Sequence, residues 1–222
     1  MKKIMSILAI SVIIFACSKK EPKEETFSEN RATSTEEPVD SIPKNCTYTY
    51  NDSTTTFGWK AYKTNEKIGV GGTFDDIQVT ASTRSSMLET LNSISFIIQT
   101  QSVNSNNEER DIKLFNFFFN KMIGTDKISG RVKSIAGSDA SGNATFEIIM
   151  NEMTQDVTLA YTTVDEILNF SGDLNMDNFN GQEAVKILNK ECEALHTGGD
   201  GLSVLWPTIS LTISTQLTMK CD

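Results

Sequence analysis

From residue 47 onward, apolar and polar positions change places in short runs. Phe57, Trp59 and Ala61 alternate with Thr56, Gly58 and Lys60 within 47–62, and Ile94, Phe96 and Ile98 share one face of 94–101. A period of two marks a strand with one side buried. The runs 127–135, 144–152, 155–164 and 167–176 repeat the pattern, each bounded by Gly, Asn, Asp or Ser. So does 208–220, where Ile209, Leu211, Ile213, Leu217 and Met219 alternate with Ser, Thr and Gln. The run 69–80 makes the eighth, and its opening Gly69-Val70-Gly71-Gly72 reads as a bulge or tight bend. The links between the fourth, fifth, sixth and seventh runs are too short for parallel crossovers. Eight antiparallel strands with one apolar face each relieve their edges by closing into a barrel, which can hold one small ligand. The expected class is all-β, an eight-stranded antiparallel β-barrel with two short inserted helices. A two-sheet sandwich is the alternative.

The inserted helices are read at 108–122 and 182–195. The first opens with Glu108 and Glu109, which suit the positive end of a helix, after Asn106 and Asn107 as N-caps. It then turns apolar nearly all round: Ile112, Phe115, Phe119 and Met122 on one face, Leu114, Phe117 and Phe118 on others. Such a helix between strands reads as a plug or lid on a cavity, or as ordinary core. The second helix is closed by Gly198 and Gly199. If the interior is hollow, its wall comprises Phe57, Trp59, Phe74, Ile94, Phe96, Ile98, Phe146, Ile148, Leu159, Phe170, Leu211 and Ile213, with Phe115, Phe118 and Phe119 from the helix.

The first 45 residues have a different character. Lys2 and Lys3 precede an apolar run too short for a membrane span, which takes about 20 residues. The run ends Ile14-Phe15-Ala16-Cys17, which resembles the lipobox of bacterial lipoproteins. That resemblance implies a signal peptide over 1–16 and an acylated Cys17, with several acyl chains giving stable anchoring. Ser18 in place of Asp points to the outer membrane of a Gram-negative bacterium, at its periplasmic face or the cell surface. The segment 17–45 is rich in Glu, Lys, Ser, Thr and Pro and reads as a disordered tether with a reach on the order of 30 Å. The folded domain is then 46–222.

Within that domain, Arg110-Asp111-x-x-Leu114 and the run Phe117-Phe118-Phe119 follow a strand ending Ile98-Gln99-Thr100-Gln101-Ser102-Val103-Asn104. They precede a strand with Gly130-x-Val132-x-Ser134. These motifs and their order resemble the YceI-like family over roughly residues 47–220. The resemblance implies a lipocalin-like barrel that binds a polyisoprenoid chain, such as a quinone tail or related long-chain lipid, inside. The chain departs from the family pattern at Met122-Ile123-Gly124 and at Thr154-Gln155.

Composition narrows the partners. The net charge is −9, and removal of the signal would take away two lysines and no acid. An acidic domain without a basic patch argues against nucleic acid. No cofactor is implied, and no Gly-x-Ser-x-Gly, His-Glu-x-x-His or P-loop is present, so no enzyme is expected. Asp173-x-Asn175-x-Asp177 lacks the Gly and Glu of a calcium loop.

Three cysteines remain beyond Cys17. In a closed barrel the first and last strands pair antiparallel, which brings Cys46 and Cys221 together for a disulfide; the alternative pairs Cys192 with one of them. Cys192 and His196, the chain's one histidine, stand at i and i+4 and could serve a thiol or metal site, though two ligands are too few. The function expected is a lipid-anchored carrier of a hydrophobic molecule. The alternatives are a thiol or metal protein built on Cys192 and His196, or a structural lipoprotein whose barrel is filled by its own side chains.

Overall fold

The structure is a computed structural model that describes residues 45–222. The signal segment, Cys17 and the tether lie outside the described residues. In chain order the elements are β1 (Cys46–Thr49), β2 (Thr56–Lys63), β3 (Ile68–Phe74), β4 (Ile77–Thr80), α1 (Met87–Asn92), β5 (Ser95–Gln99), β6 (Val103–Asn104), α2 (Glu108–Phe117), β7 (Lys127–Gly137), β8 (Ser141–Met150), β9 (Met153–Val164), β10 (Ile167–Asn175), α3 (Gln182–Glu191), α4 (Glu193–His196), β11 (Leu205–Thr215) and β12 (Thr218–Cys221).

Ten strands form one strongly curled antiparallel sheet in the order β4-β5-β7-β8-β9-β10-β11-β2-β3-β6, and β1 pairs with β12 apart from it. The expected period of two holds on the long strands. Val157, Leu159 and Tyr161 on β9, and Ala144, Phe146, Ile148 and Met150 on β8, are buried, and the β9 positions between them are exposed. The β8–β9 turn at Asn151-Glu152 and the β9–β10 turn at Asp165-Glu166 place all four residues at positive φ, the two-residue hairpin geometry that fits strand twist.

The expectation of eight strands in a closed ladder is corrected: among the described residues there are twelve, and the sheet has two end strands, β4 and β6. Local polar contacts break what the alternation reads as single strands. Asn51 accepts from the Ser53 amide and starts a 3-10 turn that separates β1 from β2. Asp75 and Asp76 part β3 from β4, and their amides donate to Ser102 O and Ser102 Oγ, both at 2.9 Å. A 3-10 turn at Thr100–Ser102 parts β5 from β6, held by Thr100 Oγ1 donating to Thr125 O at 2.7 Å. The two ends of the sheet therefore meet at a kink without a continuous ladder.

The helices also differ from expectation. There are four α-helices among the described residues, not two. α2 is capped by Asn107, whose side chain accepts from the Arg110 amide, and stops at Phe117 before a 3-10 turn over Phe119–Lys121. It is not apolar all round: none of its residues is fully buried and Ile112 is 53% exposed. The second expected helix breaks at Cys192 into α3 and α4. No helix among the described residues is long and apolar enough to cross a membrane.

β11 carries a bulge between Leu205 and Ile209 where it pairs with β2. Pro207 lies in that gap and has no amide hydrogen to give the ladder. Beyond this seam, a disulfide joins Cys46 and Cys221, which are paired in register on β1 and β12. It spans 175 residues of chain, and loop-closure entropy for such a span is about 5 kcal/mol as an upper figure. We expect Cys46→Ser/Cys221→Ser to lower the unfolding free energy by about 2–4 kcal/mol in guanidinium titrations. Dithiothreitol should give the same loss in the wild type and none in the double variant.

Candidate functional site: the interior cavity

The curl encloses a cavity of about 260 Å³ whose wall is almost wholly apolar. It exceeds the roughly 150 Å³ of an apolar cavity that stays dry and takes up benzene. From Thr55, just before β2, the lining runs through Phe57 and Trp59 to Ala61, which at the rise of a strand is about 20 Å. The space is therefore elongated along the strands.

Fourteen of the fifteen wall positions read from sequence line this cavity: Phe57, Trp59, Phe74, Ile94, Phe96, Ile98, Phe118, Phe119, Phe146, Ile148, Leu159, Phe170, Leu211 and Ile213. Phe115 does not. Its side chain lines a separate surface groove with Asp75, Val103, Asn104, Asp111 and Ile112. The reason is where α2 ends. Phe118 has φ −123° and ψ −69°, outside the helix, so the chain swings Phe118 and Phe119 inward as a pair with ring centroids 5.1 Å apart, while the helical Phe115 is carried to the outer side. Phe119 meets Phe74 edge-on at 5.9 Å, which ties this segment to β3. Asp111 Oδ1 accepts from the Ser105 amide at 2.8 Å and from Ser105 Oγ at 2.6 Å, so it fixes the approach to α2.

Two glycines explain how large rings leave room. Gly72 is registered opposite Trp59 and Gly130 opposite Phe96. A Cβ at either position would lie 2.6 Å from the facing ring. Each ring lies across its neighbouring strand instead of reaching into the centre. The bulge or bend expected of the glycines at 69–72 is absent from the β2–β3 register, which is continuous from Trp59 to Lys63.

One end is covered by helices. Leu114 of α2 and Val185 and Leu188 of α3 join Met150, Leu174 and Met176 there. The other end carries the polar wall, Tyr50, Asp52, Thr55 and Thr215, beside Leu91 of α1. Asp52 is exposed, so this end is where the cavity reaches solvent. Sequence reasoning missed these four, yet Thr55 and Thr215 continue the alternation of Phe57 and Ile213 by one step.

Cys192 and His196 do not build a site. The His196 amide still donates to the Cys192 carbonyl at 3.0 Å, so the two stay one turn apart, but among the described residues no three His, Cys, Asp or Glu are grouped to hold a metal. His196 Nδ1 is 2.9 Å from Asn189 Oδ1. Burial pushes its imidazole down to about 4, with Lys63 adding to the shift. Burial pushes the Cys192 thiol up, away from the thiolate.

The family model for the YceI-like domain matches residues 48–217. BcnA of Burkholderia cenocepacia superposes with a TM-score of 0.54 at 11% identity, covering 76% of this chain and 99% of that one. A polyisoprenoid binding domain from Saccharophagus degradans gives 0.49 at 11% identity, over 81% and 99%. A YCEI protein of Campylobacter jejuni gives 0.44 at 16% identity, over 69% and 85%. At such identities the likeness to BcnA shows the fold alone. No curated protein matches the sequence.

His196 makes stability depend on pH. Its folded value of about 4 lies below the ordinary 6.5, so the unfolded chain binds the proton first as pH falls. The contribution is complete above 6.5 and is lost between 6.5 and 4. Between pH 7 and 4.5 we expect His196→Gln to lose about 2 kcal/mol less unfolding free energy than the wild type, measured by urea titration at both pH values.

Proposed function

The chain belongs to the YceI-like family, and on that premise we propose that it is a lipid-anchored binding protein whose barrel-like interior holds a long hydrophobic molecule, a polyisoprenoid or isoprenoid quinone-like lipid. The observation that carries this reading is the apolar, elongated cavity of about 260 Å³. Each CH₂-sized unit moved from water into such a wall is worth about 0.8 kcal/mol, before the cost of ordering the chain. The role is extraction, storage or ferrying of that molecule; no chemistry on it is invoked. Cys17 supplies the anchor, in the outer membrane of a Gram-negative cell at its periplasmic face or the surface, and the segment 17–45 the tether.

The hollow interior counts against a purely structural lipoprotein. The missing third ligand among the described residues and a thiol that burial pushes up count against a thiol or metal site at Cys192 and His196.

Native mass spectrometry of protein extracted from membranes should show a long-chain lipid adduct. Ala144, fully buried on the cavity wall, offers a way to close the space. Ala144→Trp should weaken uptake of an added isoprenoid by at least about tenfold, or 1.4 kcal/mol. Bare protein that takes up no added lipid overturns the reading. Cys17→Ser should move the protein from the membrane to the soluble fraction; an unchanged distribution removes the anchor.

A further inference from the structure

The end of the cavity that reaches solvent is also where the chain enters the fold. The Asn45 carbonyl accepts from the Asp222 amide at 3.3 Å beside the Cys46–Cys221 disulfide, so the entry point is fixed on the β1–β12 ribbon. That ribbon belongs to the open end. β1 runs on into Tyr50, Asp52 and Thr55, which line the opening, and β12 follows Thr215, which lines it from the other side. Thr90 Oγ1 of α1 donates to the Tyr48 carbonyl at 3.0 Å, and the neighbouring Leu91 is part of the same wall. An anchor at Cys17, leading in through 18–45, therefore reaches the fold at the opening and not at the helix-covered end.

The rim here exposes large apolar side chains. The β9–β10 turn belongs to it, because Leu168 is paired with Thr215 and Gln216 Nε2 donates to Glu166 Oε2 at 3.4 Å. Val164 and Ile167 are paired across that turn and are 58% and 39% exposed. Met219, opposite Tyr48 on the ribbon, is 53% exposed. Each gains free energy by leaving water. Thr163 Oγ1 donates to the Asp139 carbonyl at 2.5 Å, which brings the β7–β8 loop alongside. The exposed charges of these segments are Asp52, Asp139, Asp165 and Glu166 against Arg84 and Lys220. Such a rim suits a zwitterionic surface and opposes an anionic one. A second exposed group, Ile68, Leu195 and Leu202, lies at the far end of β2, where Lys63 is paired with Ile68 and its Nζ donates to the Leu195 carbonyl at 2.9 Å. Neither the opening nor the chain's entry is there.

Resting on the anchored-carrier reading above, we propose that the open end is a docking rim for a zwitterionic bilayer: Val164, Ile167 and Met219 enter the headgroup layer and set the cavity mouth against the membrane. Three side chains hold weakly alone. The anchor keeps the rim within the tether's reach, on the order of 30 Å, so docking becomes an intramolecular step at high effective concentration.

Val164→Trp and Leu202→Trp, each in the acylated full chain, are anchored in vesicles of phosphatidylcholine brominated on its acyl chains, and the signal of the native Trp59 and Trp206 is subtracted. Val164→Trp should be quenched at least about threefold more than Leu202→Trp. Equal quenching, or the reverse order, overturns the docking rim. In a second arm, chain freed of bound lipid takes up a short-chain ubiquinone from phosphatidylcholine vesicles, and the quinone ring quenches Trp59 and Trp206, which line the cavity. Val164→Glu/Ile167→Glu/Met219→Glu should slow that uptake at least about tenfold and leave uptake from detergent micelles as in the wild type. Phosphatidylglycerol added to the vesicles should slow the wild type. Unchanged uptake by the triple variant, or faster uptake from the anionic vesicles, overturns the docking rim and leaves the carrier reading standing. Absence of uptake by the wild type from both vesicles and micelles overturns the carrier reading itself.

Discussion

The ladder between β2 and β11 holds the sheet in its curl. Thr56 to Ala61 pair with Ser214 to Ile209, residues from opposite ends of the folded domain. If those strands parted, β11 and β2 would become edges and the inward apolar rows would open to water. The ladder is long-range, so the chain must close a loop of nearly its whole folded length before these bonds form, which is slow and entropically costly. The Cys46–Cys221 link sits just outside this seam on β1 and β12. Its place is physically apt. β12 is exposed throughout and has little burial of its own to hold it, so a covalent tie supplies there what packing does not.

A hollow interior in a small domain also needs an account of why it does not collapse. The backbone of a curled sheet is stiff because its bonds run between strands, and it cannot shrink without breaking them. Side chains could still fill the centre. Pairing Trp59 with Gly72 and Phe96 with Gly130 turns two of the largest rings onto the sheet surface. Ala61 and Ala144 add small steps in the wall. Elsewhere aromatic rings brace one another: Phe146 with Phe170 at 6.2 Å, and Phe170 with Tyr161 at 5.5 Å. The wall is packed laterally and left empty radially.

Much of this was legible along the chain. Alternation tells which face of a strand a residue occupies, so Phe57, Ile148 and Ile213 could be assigned inward without knowing the topology. It does not tell where a strand stops. Asp75, Asp76 and Ser102 end strands by side-chain and turn hydrogen bonds whose partners lie far off in sequence, as Thr100 does with Thr125, whereas Asn51 does so through the Ser53 amide two residues on. Helical faces were harder, because a register is only as good as the helix boundary. Phe115 and Phe119 share a face of an ideal helix, but α2 ends at Phe117 and the two part company. The polar end was overlooked because threonine and tyrosine read as ordinary strand residues; the meaning of Thr55 lies in its contact with Thr215 at the end of β11, and that of Tyr50 in its bond to Asp52.

An apolar tube alone confers little direction on what it holds, because burial is proportional to area and indifferent to orientation. The two ends of this cavity break that symmetry. α2 and α3 cover one with Leu114, Val185 and Leu188, where a polar group would be stranded without partners. The other ends in hydroxyls and a carboxylate open to water. A chain with one polar terminus therefore has one low-energy direction of entry, tail toward the helices, because reversing it would bury the polar terminus among leucines at a cost of several kcal/mol. Orientation follows from the penalty at the closed end as much as from the contacts at the open one.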